Sequence, residues 1–210
     1  MMPPSIGKVI RDIWRHKGRS VLVILSLTLG ILTSGIALFI GTVLTEDLNA
    51  QFRERNPHDF RIRTVSTFPE EFAATLEKNN RGATISARSC TIQRYVSPSG
   101  AKIIANAYVF RDIAGTGVDS LRDGGSRPIR MNPKKGECLF ERSTKEDVAL
   151  SIGDGVSFER LDGAIITLTF AGYAHDLTTE PYALDGDLSV YMLPETLALL
   201  QDDASPNEIR

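Results

Sequence analysis

Cysteine is scarce in this chain, with two in 210 residues, and there are one tryptophan and three histidines. That excludes a disulfide-stapled scaffold. With no C-x-x-C pair, it also excludes the common structural zinc sites. Charge of one sign is lacking too. Twenty-four basic and 26 acidic residues leave a formal net charge of −2, too little field for a general nucleic-acid-binding domain, so no nucleic-acid partner is expected. Catalytic signatures are missing as well: no G-x-x-x-x-G-K-S/T loop, no G-x-S-x-G elbow, no H-E-x-x-H helix. Gly115-Thr-Gly117 follows a strand-like run, but Ser120 stands where a third glycine is needed, so a turn is expected. His175-Asp176 beside Thr178 and Glu180 comes nearest to an acid–base cluster. Neighbours on an extended segment point in different directions, which argues against it. The expectation is a non-enzyme with no catalytic residue, no cofactor and no metal.

What is present is a long apolar run. Val21 to Leu44 are 24 consecutive residues without a charge. As a helix they extend roughly 36 Å, enough to cross a ~30 Å hydrocarbon core with some tilt. A signal peptide has a shorter apolar region, usually ~7–15 residues, ending at a small-x-small cleavage site. Here the small residues sit inside the run, so a retained transmembrane helix is predicted over 21–44.

The flanks orient it. Residues 1–20 carry Lys8, Arg11, Arg15, Lys17 and Arg19 against Asp12, whereas Glu46 and Asp47 follow the run. Positive charge resists translocation, which predicts a cytoplasmic amino terminus and an extracytoplasmic 45–210. Within the cytoplasmic segment 1–20, Ile6, Val9, Ile10, Ile13 and Trp14 share one helical face, with basic residues between them. That pattern suits the membrane interface, either as a simple positive flank or as a surface for a cytoplasmic partner. Inside the span, Ser26, Gly30 and Ser34 recur every fourth residue, and Ala37 and Gly41 continue the stripe. Small residues so spaced let another helix approach closely.

Beyond the span, Leu44, Leu48 and Phe52 keep a helical stripe, which predicts a stalk over 45–56 ending at Asn56-Pro57. Residues 57–210 then read as one α+β domain with largely antiparallel pairing. Strands are expected over 59–65, 84–96, 101–110, 137–141, 155–160, 164–173 and 188–192. Ser97-Pro-Ser-Gly100 and Asp162-Gly163 supply hairpin turns. Thr67 to Glu70 and Ser143 to Glu146 have capping-box spacing, predicting a helix after each. A last helix begins at Pro194-Glu195. The Gly-, Asp-, Arg- and Pro-rich stretch from Asp112 to Lys135 reads as a long exposed excursion. Cys90 and Cys138 fall outside the membrane, where a disulfide is permitted, but their spacing does not establish proximity. Two separate thiols are the simpler expectation.

The carboxy-terminal half carries more specific wording. Val148-Ala-Leu-Ser-Ile-Gly-Asp-Gly-Val-Ser-Phe158 is followed by Thr169-Phe-Ala-Gly-Tyr-Ala-His-Asp-Leu177, and after Glu180-Pro181 comes Val190-Tyr-Met-Leu-Pro-Glu-Thr-Leu197. In this order, behind a basic foot, a membrane helix and a stalk, the chain resembles the MacB/FtsX-type ABC transporter permeases with their MacB-like periplasmic core domain. None of these motif residues is catalytic in that family.

The resemblance implies a permease of the bacterial cytoplasmic (inner) membrane. It would couple a cytoplasmic ABC ATPase subunit, which binds the ATP, to the external domain for export, extraction or mechanotransmission. A second permease copy or homologue and membrane lipid are the other implied partners. Family members have further membrane helices after this domain, whereas residues 201–210 (QDDASPNEIR) are a polar tail. The chain is therefore expected to be an amino-terminal fragment. The alternative is a single-pass anchored binding, sensor or scaffold domain.

Overall fold

The computed structural model describes residues 14–210, apart from the Asp47 side chain. Ile6, Val9, Ile10 and Ile13 lie outside the described residues. Trp14 lies inside them and is exposed, with Lys17 Nζ 5.0 Å from its ring centroid. The chain divides into two compact units between Gln51 and Phe52.

The first unit is helical. Helix α1 spans Lys17–Thr42, a π-helical turn spans Val43–Asp47, and α2 spans Leu48–Glu54. The stretch Lys17–Glu54 is, among the described residues, the one helix long and apolar enough to cross a membrane. No residue of α1 is buried. Several of its hydroxyls bond back to the helix's own carbonyls, as suits hydrocarbon. Ser26, Thr28 and Thr33 donate to the carbonyls of Leu22, Ile24 and Leu29 at 2.9, 2.8 and 2.7 Å.

The second unit is a mixed α+β domain built around a sheet of nine strands: β1 (Ile62–Arg63), β2 (Ala87–Val96), β3 (Lys102–Val109), β4 (Arg122–Asp123), β5 (Glu137–Glu141), β6 (Gly155–Glu159), β7 (Ile165–His175), β8 (Leu188–Met192) and β9 (Glu208–Ile209). Short helices α3 (Glu71–Asn79), α4 (Tyr182–Asp185) and α5 (Pro194–Leu197) connect them. Six strands close on themselves: β2 pairs with β3, β3 with β8, β8 with β5, β5 with β7, β7 with β6, and β6 back with β2. The β3–β8 and β5–β7 pairs are parallel and the others in the ring are antiparallel.

Closure explains the alternation along each strand. Tyr95, Ala105, Ala107, Val109, Cys138, Phe140, Val156, Phe158, Leu168, Phe170, Val190 and Met192 form one buried cluster inside the ring. The interior is narrow, and small and large residues share it. Ala105 and Ala107 of β3 leave room for the rings of Tyr95, Phe140 and Phe170. Phe140 meets Tyr95 and Phe170 edge-on, with centroids 5.9 and 5.7 Å apart. Leu197 and Leu200 join the same cluster from the α5 segment. A second cluster lies on the outer wall, where Phe110, Ile113 and Leu121 pack with Leu139, Ala174, Tyr191 and Leu193.

The hairpin turn forms at 97–100, where Gly100 takes φ +83° and the Ala101 N–H donates to Ser97 Oγ at 3.0 Å. Four expectations need correction. The strand expected over 59–65 shrinks to β1, which pairs with β9. Neither capping box forms. Thr67 Oγ1 donates to Asp203 Oδ2 at 3.0 Å, and Ser143 Oγ accepts from the Tyr182 N–H at 3.2 Å, because tertiary partners outcompete the local cap. The 112–135 excursion is not simply exposed. Ile113, Val118 and Leu121 are buried and β4 joins β7, since these apolar side chains cover the outer wall. The tail at 201–210 is not a free polar end. Its last residues form β9 between β1 and β2.

Candidate functional site

Residues 55–58 and 208–210 meet at a buried polar junction. In the first of these segments, Pro57 follows Asn56, whose φ of +48° turns the chain away from the helix. The carbonyls of Arg55 and Asn56 accept the N–H groups of Ser120 and Asp119, each at 3.0 Å. Asp119 returns a second grip, accepting from the His58 N–H at 3.0 Å and lying 2.8 Å from His58 Nδ1. Just after β9, Arg210 Nη1 ion-pairs with the same Asp119 carboxylate.

Arg210 belongs to a second knot. Glu208 accepts from Arg88 Nε at 2.6 Å, from Arg210 Nε at 2.8 Å and from Arg63 Nε at 3.2 Å. Glu208, Asp119 and Arg210 are 0%, 3% and 5% exposed. Three guanidinium groups around one carboxylate satisfy its lone pairs and make burial of the charge tolerable. The Arg88 guanidinium carbon also lies 4.5 Å from the Tyr108 ring centroid, a cation–π contact. Burial pushes the Tyr108 hydroxyl up to about 12.

The network continues through Thr178, which accepts from Arg210 at 3.0 Å and donates to Asp176 Oδ1 at 2.7 Å. The Asp176 N–H and the Tyr191 hydroxyl both donate to Glu141 Oε2 at 2.9 Å, and His175 Nδ1 lies 3.1 Å from Glu141 Oε1. Arg55 Nη1 closes the circuit on the His175 carbonyl at 2.9 Å. Desolvation raises the Asp176 carboxyl above the usual range, opposed by its hydrogen bonds from Thr178. Desolvation also raises the Tyr191 hydroxyl.

Most of these groups hold one another, while Arg88 Nη1 and Nη2, Asp176 Oδ2 and Arg210 Nη2 are buried without a hydrogen-bond partner among the described residues. The cavity beside Asp176 and Thr178 measures about 10 Å³, comparable to a single water. Among the described residues no group of His, Cys, Asp and Glu is placed to hold a metal. The junction is a network of hydrogen bonds, many of them charge-assisted, that ties residues 55–58, 119–120, 175–178 and 208–210 to Arg63, Arg88, Glu141 and Tyr191.

Of the residues singled out by sequence, His175, Asp176 and Thr178 do come together. Glu180 does not join them, and its expected place is taken by Glu141. The reading missed Arg88, Asp119, Glu141, Glu208 and Arg210. One signal was visible: Glu141 directly follows the apolar run Cys138-Leu139-Phe140 of β5, where a charge needs a buried partner. Both cysteines are free and buried, Cys138 inside the barrel and Cys90 on the opposite face of the sheet, beside Arg63. Ser26, Gly30, Ser34, Ala37 and Gly41 are exposed on α1 within an arc of about 80°. A Cβ built on Gly30 or Gly41 meets no neighbour within 4 Å.

The class of fold is thus a long apolar helix followed by a mixed α+β sheet domain. No protein family and no curated protein matches the sequence. Among the solved structures with similar folds are these two. One is the extracellular domain of the noncanonic ABC-type transporter YknZ from Gram-positive bacteria, 12% identical over 71% of this chain and 79% of that one, with a TM-score of 0.45. The other is the periplasmic region of MacB from Actinobacillus actinomycetemcomitans, 14% identical over 75% and 68% of the two chains, with a TM-score of 0.43. The likeness is one of fold.

Proposed function

We propose that this chain is the amino-terminal part of an ABC transporter permease, in which the external domain performs no chemistry and receives motion through the helix that precedes it. The observation carrying this reading is the shared grip of Asp119. It holds the segment just after the helix, at Asn56 and His58, and the last residue of β9's extension, Arg210. Strands β1 and β9 run antiparallel side by side, so the segment that follows the helix shares one edge of the sheet with residues 208–209. A displacement applied at that edge is passed into the sheet through buried ion pairs. A solvated linker would absorb it.

The basic residues of 1–20 favour a cytoplasmic amino terminus in a bacterial inner membrane, with the stalk and domain outside. The cytoplasmic ATPase subunit supplies ATP hydrolysis, and the amphipathic face of Ile6, Val9, Ile10, Ile13 and Trp14 is its contact or lies at the lipid interface. The stripe of Ser26, Gly30, Ser34, Ala37 and Gly41 packs against a further helix of the permease or of a second copy.

The test reads the chromosome beyond Arg210 and the neighbouring reading frames, then co-purifies the encoded products in detergent. The expected result is further apolar spans and an adjacent Walker A frame whose product co-purifies with the permease. A native stop codon after Arg210 with no such neighbour would overturn the permease and favour an anchored binding or scaffold module.

A further inference from the structure

A cleft of about 900 Å³ lies on the outer wall of the barrel, against the 123–134 segment. Its size falls within the roughly 300–1,000 Å³ of small-molecule sites. The floor is formed by Leu139 of β5 and by Ala171 to Tyr173 of β7, and the walls by Ile129, Met131 and Ile152. Gly172 takes φ +146° beside the β-bulge between Cys138 and Leu139, which leaves one floor position without a side chain. Met131 and Ile152 are 82% and 79% exposed, unusual for large apolar side chains set together.

The floor offers almost nothing polar. Tyr173 carries its one side-chain hydroxyl, and that group is already engaged. It donates to the Val148 carbonyl at 3.0 Å and accepts from the Leu150 N–H at 3.3 Å. The rim differs. Arg127 is paired with Asp123 at 3.0 Å, and the Glu137 carboxylate is occupied by the Lys134 backbone N–H at 2.7 Å. Arg130 and Lys134, both exposed, have no carboxylate partner among the described residues. An apolar trough with two unpaired cations at its mouth is complementary to a molecule with one apolar and one anionic end.

We propose that this cleft takes the acyl chain of an anionic amphiphile, with its headgroup at Arg130 and Lys134. An acyl chain has no polar groups to satisfy along the floor. A peptide backbone would, and the floor side chains supply it no partner. A neutral hydrocarbon would leave the two cations unused. The proposal is independent of the permease reading, since it needs only the barrel wall and the 123–134 segment.

The test uses the full chain in phosphatidylcholine nanodiscs, photolabelled with diazirine-bearing palmitate and mapped by mass spectrometry. Labels are expected on peptides covering 129–139 and 171–173 in addition to the 21–44 span, which serves as internal reference. The Arg130→Glu, Lys134→Glu double variant should lower cleft labelling roughly tenfold while the span is labelled as before. The matching diazirine-bearing alcohol should label the cleft several-fold less than the acid. Both substituted residues are exposed, and an unchanged tyrosine circular-dichroism spectrum verifies folding. Cleft labelling that is absent, unaffected by charge reversal, or equal for the alcohol would overturn the proposal. So would displacement of the palmitate by an acidic apolar peptide at lower concentration than by unlabelled palmitate.

Discussion

Asp119 and Arg210, 91 residues apart in sequence, form a buried ion pair that ties the residue following β9 to the segment leaving the helix. Removing the Asp119 charge leaves Arg210 with Glu208 alone, a carboxylate already shared with Arg63 and Arg88, so positive charge is left in excess at a site almost closed to solvent. Asp119→Asn should therefore cost about 3–5 kcal/mol. The domain contains all five tyrosines, so tyrosine circular dichroism during urea unfolding of the full chain in detergent reports it. A second substitution, Arg210→Met, should recover part of the loss because no orphan charge remains. A cost near zero for Asp119→Asn would mean that the pair is not buried in solution.

The barrel interior makes a separate prediction. Phe140 is fully buried between Tyr95 and Phe170. Truncation by Phe140→Ala leaves a cavity that the closed ring cannot collapse around, at a cost of about 3–5 kcal/mol. An equal urea midpoint for the variant and the parent would argue against a packed interior.

Asp176 gives a pH dependence of definite sign. Desolvation raises its folded-state pKa above the unfolded value, so the native state holds its proton more tightly. Its contribution is fully present below the ordinary aspartate value of about 3.9 and is lost as pH rises through the raised folded value. Asp112, Asp123 and Asp203 are shifted the other way by hydrogen bonds, and they must be subtracted out. The stability of the parent relative to Asp176→Asn should therefore fall as pH increases from about 3.9. The reverse slope would show that Asp176 is held as a stabilised carboxylate.

Both thiols should be free but slow to react. Desolvation pushes Cys138 and Cys90 up, and Cys138 has no exposed surface. Since the thiolate is the nucleophile, maleimide should label neither at neutral pH until urea unfolds the domain, after which both react. Rapid labelling of Cys138 in the native state would contradict its place inside the ring.

The proposed packing of the α1 stripe against another helix predicts that Gly30→Leu weakens helix association in a membrane. A bacterial two-hybrid assay reads this directly. Association unchanged by both Gly30→Leu and Ser34→Leu would show that the stripe is not a contact face.

Much of the secondary structure was legible in local pattern. The hairpin around 97–100 and the strands at 137–141 and 188–192 sit where alternation and turn residues place them, because those signals involve near neighbours. The capping boxes at Thr67 and Ser143 failed for a physical reason. Each hydroxyl found a partner far away in sequence, Asp203 and Tyr182, which no local spacing reveals. The junction was largely hidden for the same reason. Arg88, Asp119 and Glu208 look like ordinary surface charges until their partners are known.

The apolar character of residues 21–44, long enough for a membrane, and the mixed, largely antiparallel strand content of the domain follow from sequence alone. Both depend on the hydrophobicity and period of contiguous residues. Only the tertiary structure decided that β6 closes six strands into a ring, that the polar tail becomes β9, and that Glu208 and Arg210 are buried. Those outcomes depend on pairings across up to about 150 residues, in which an arginine or a glutamate is stable inside the protein only because a distant chain segment brings its counter-charge.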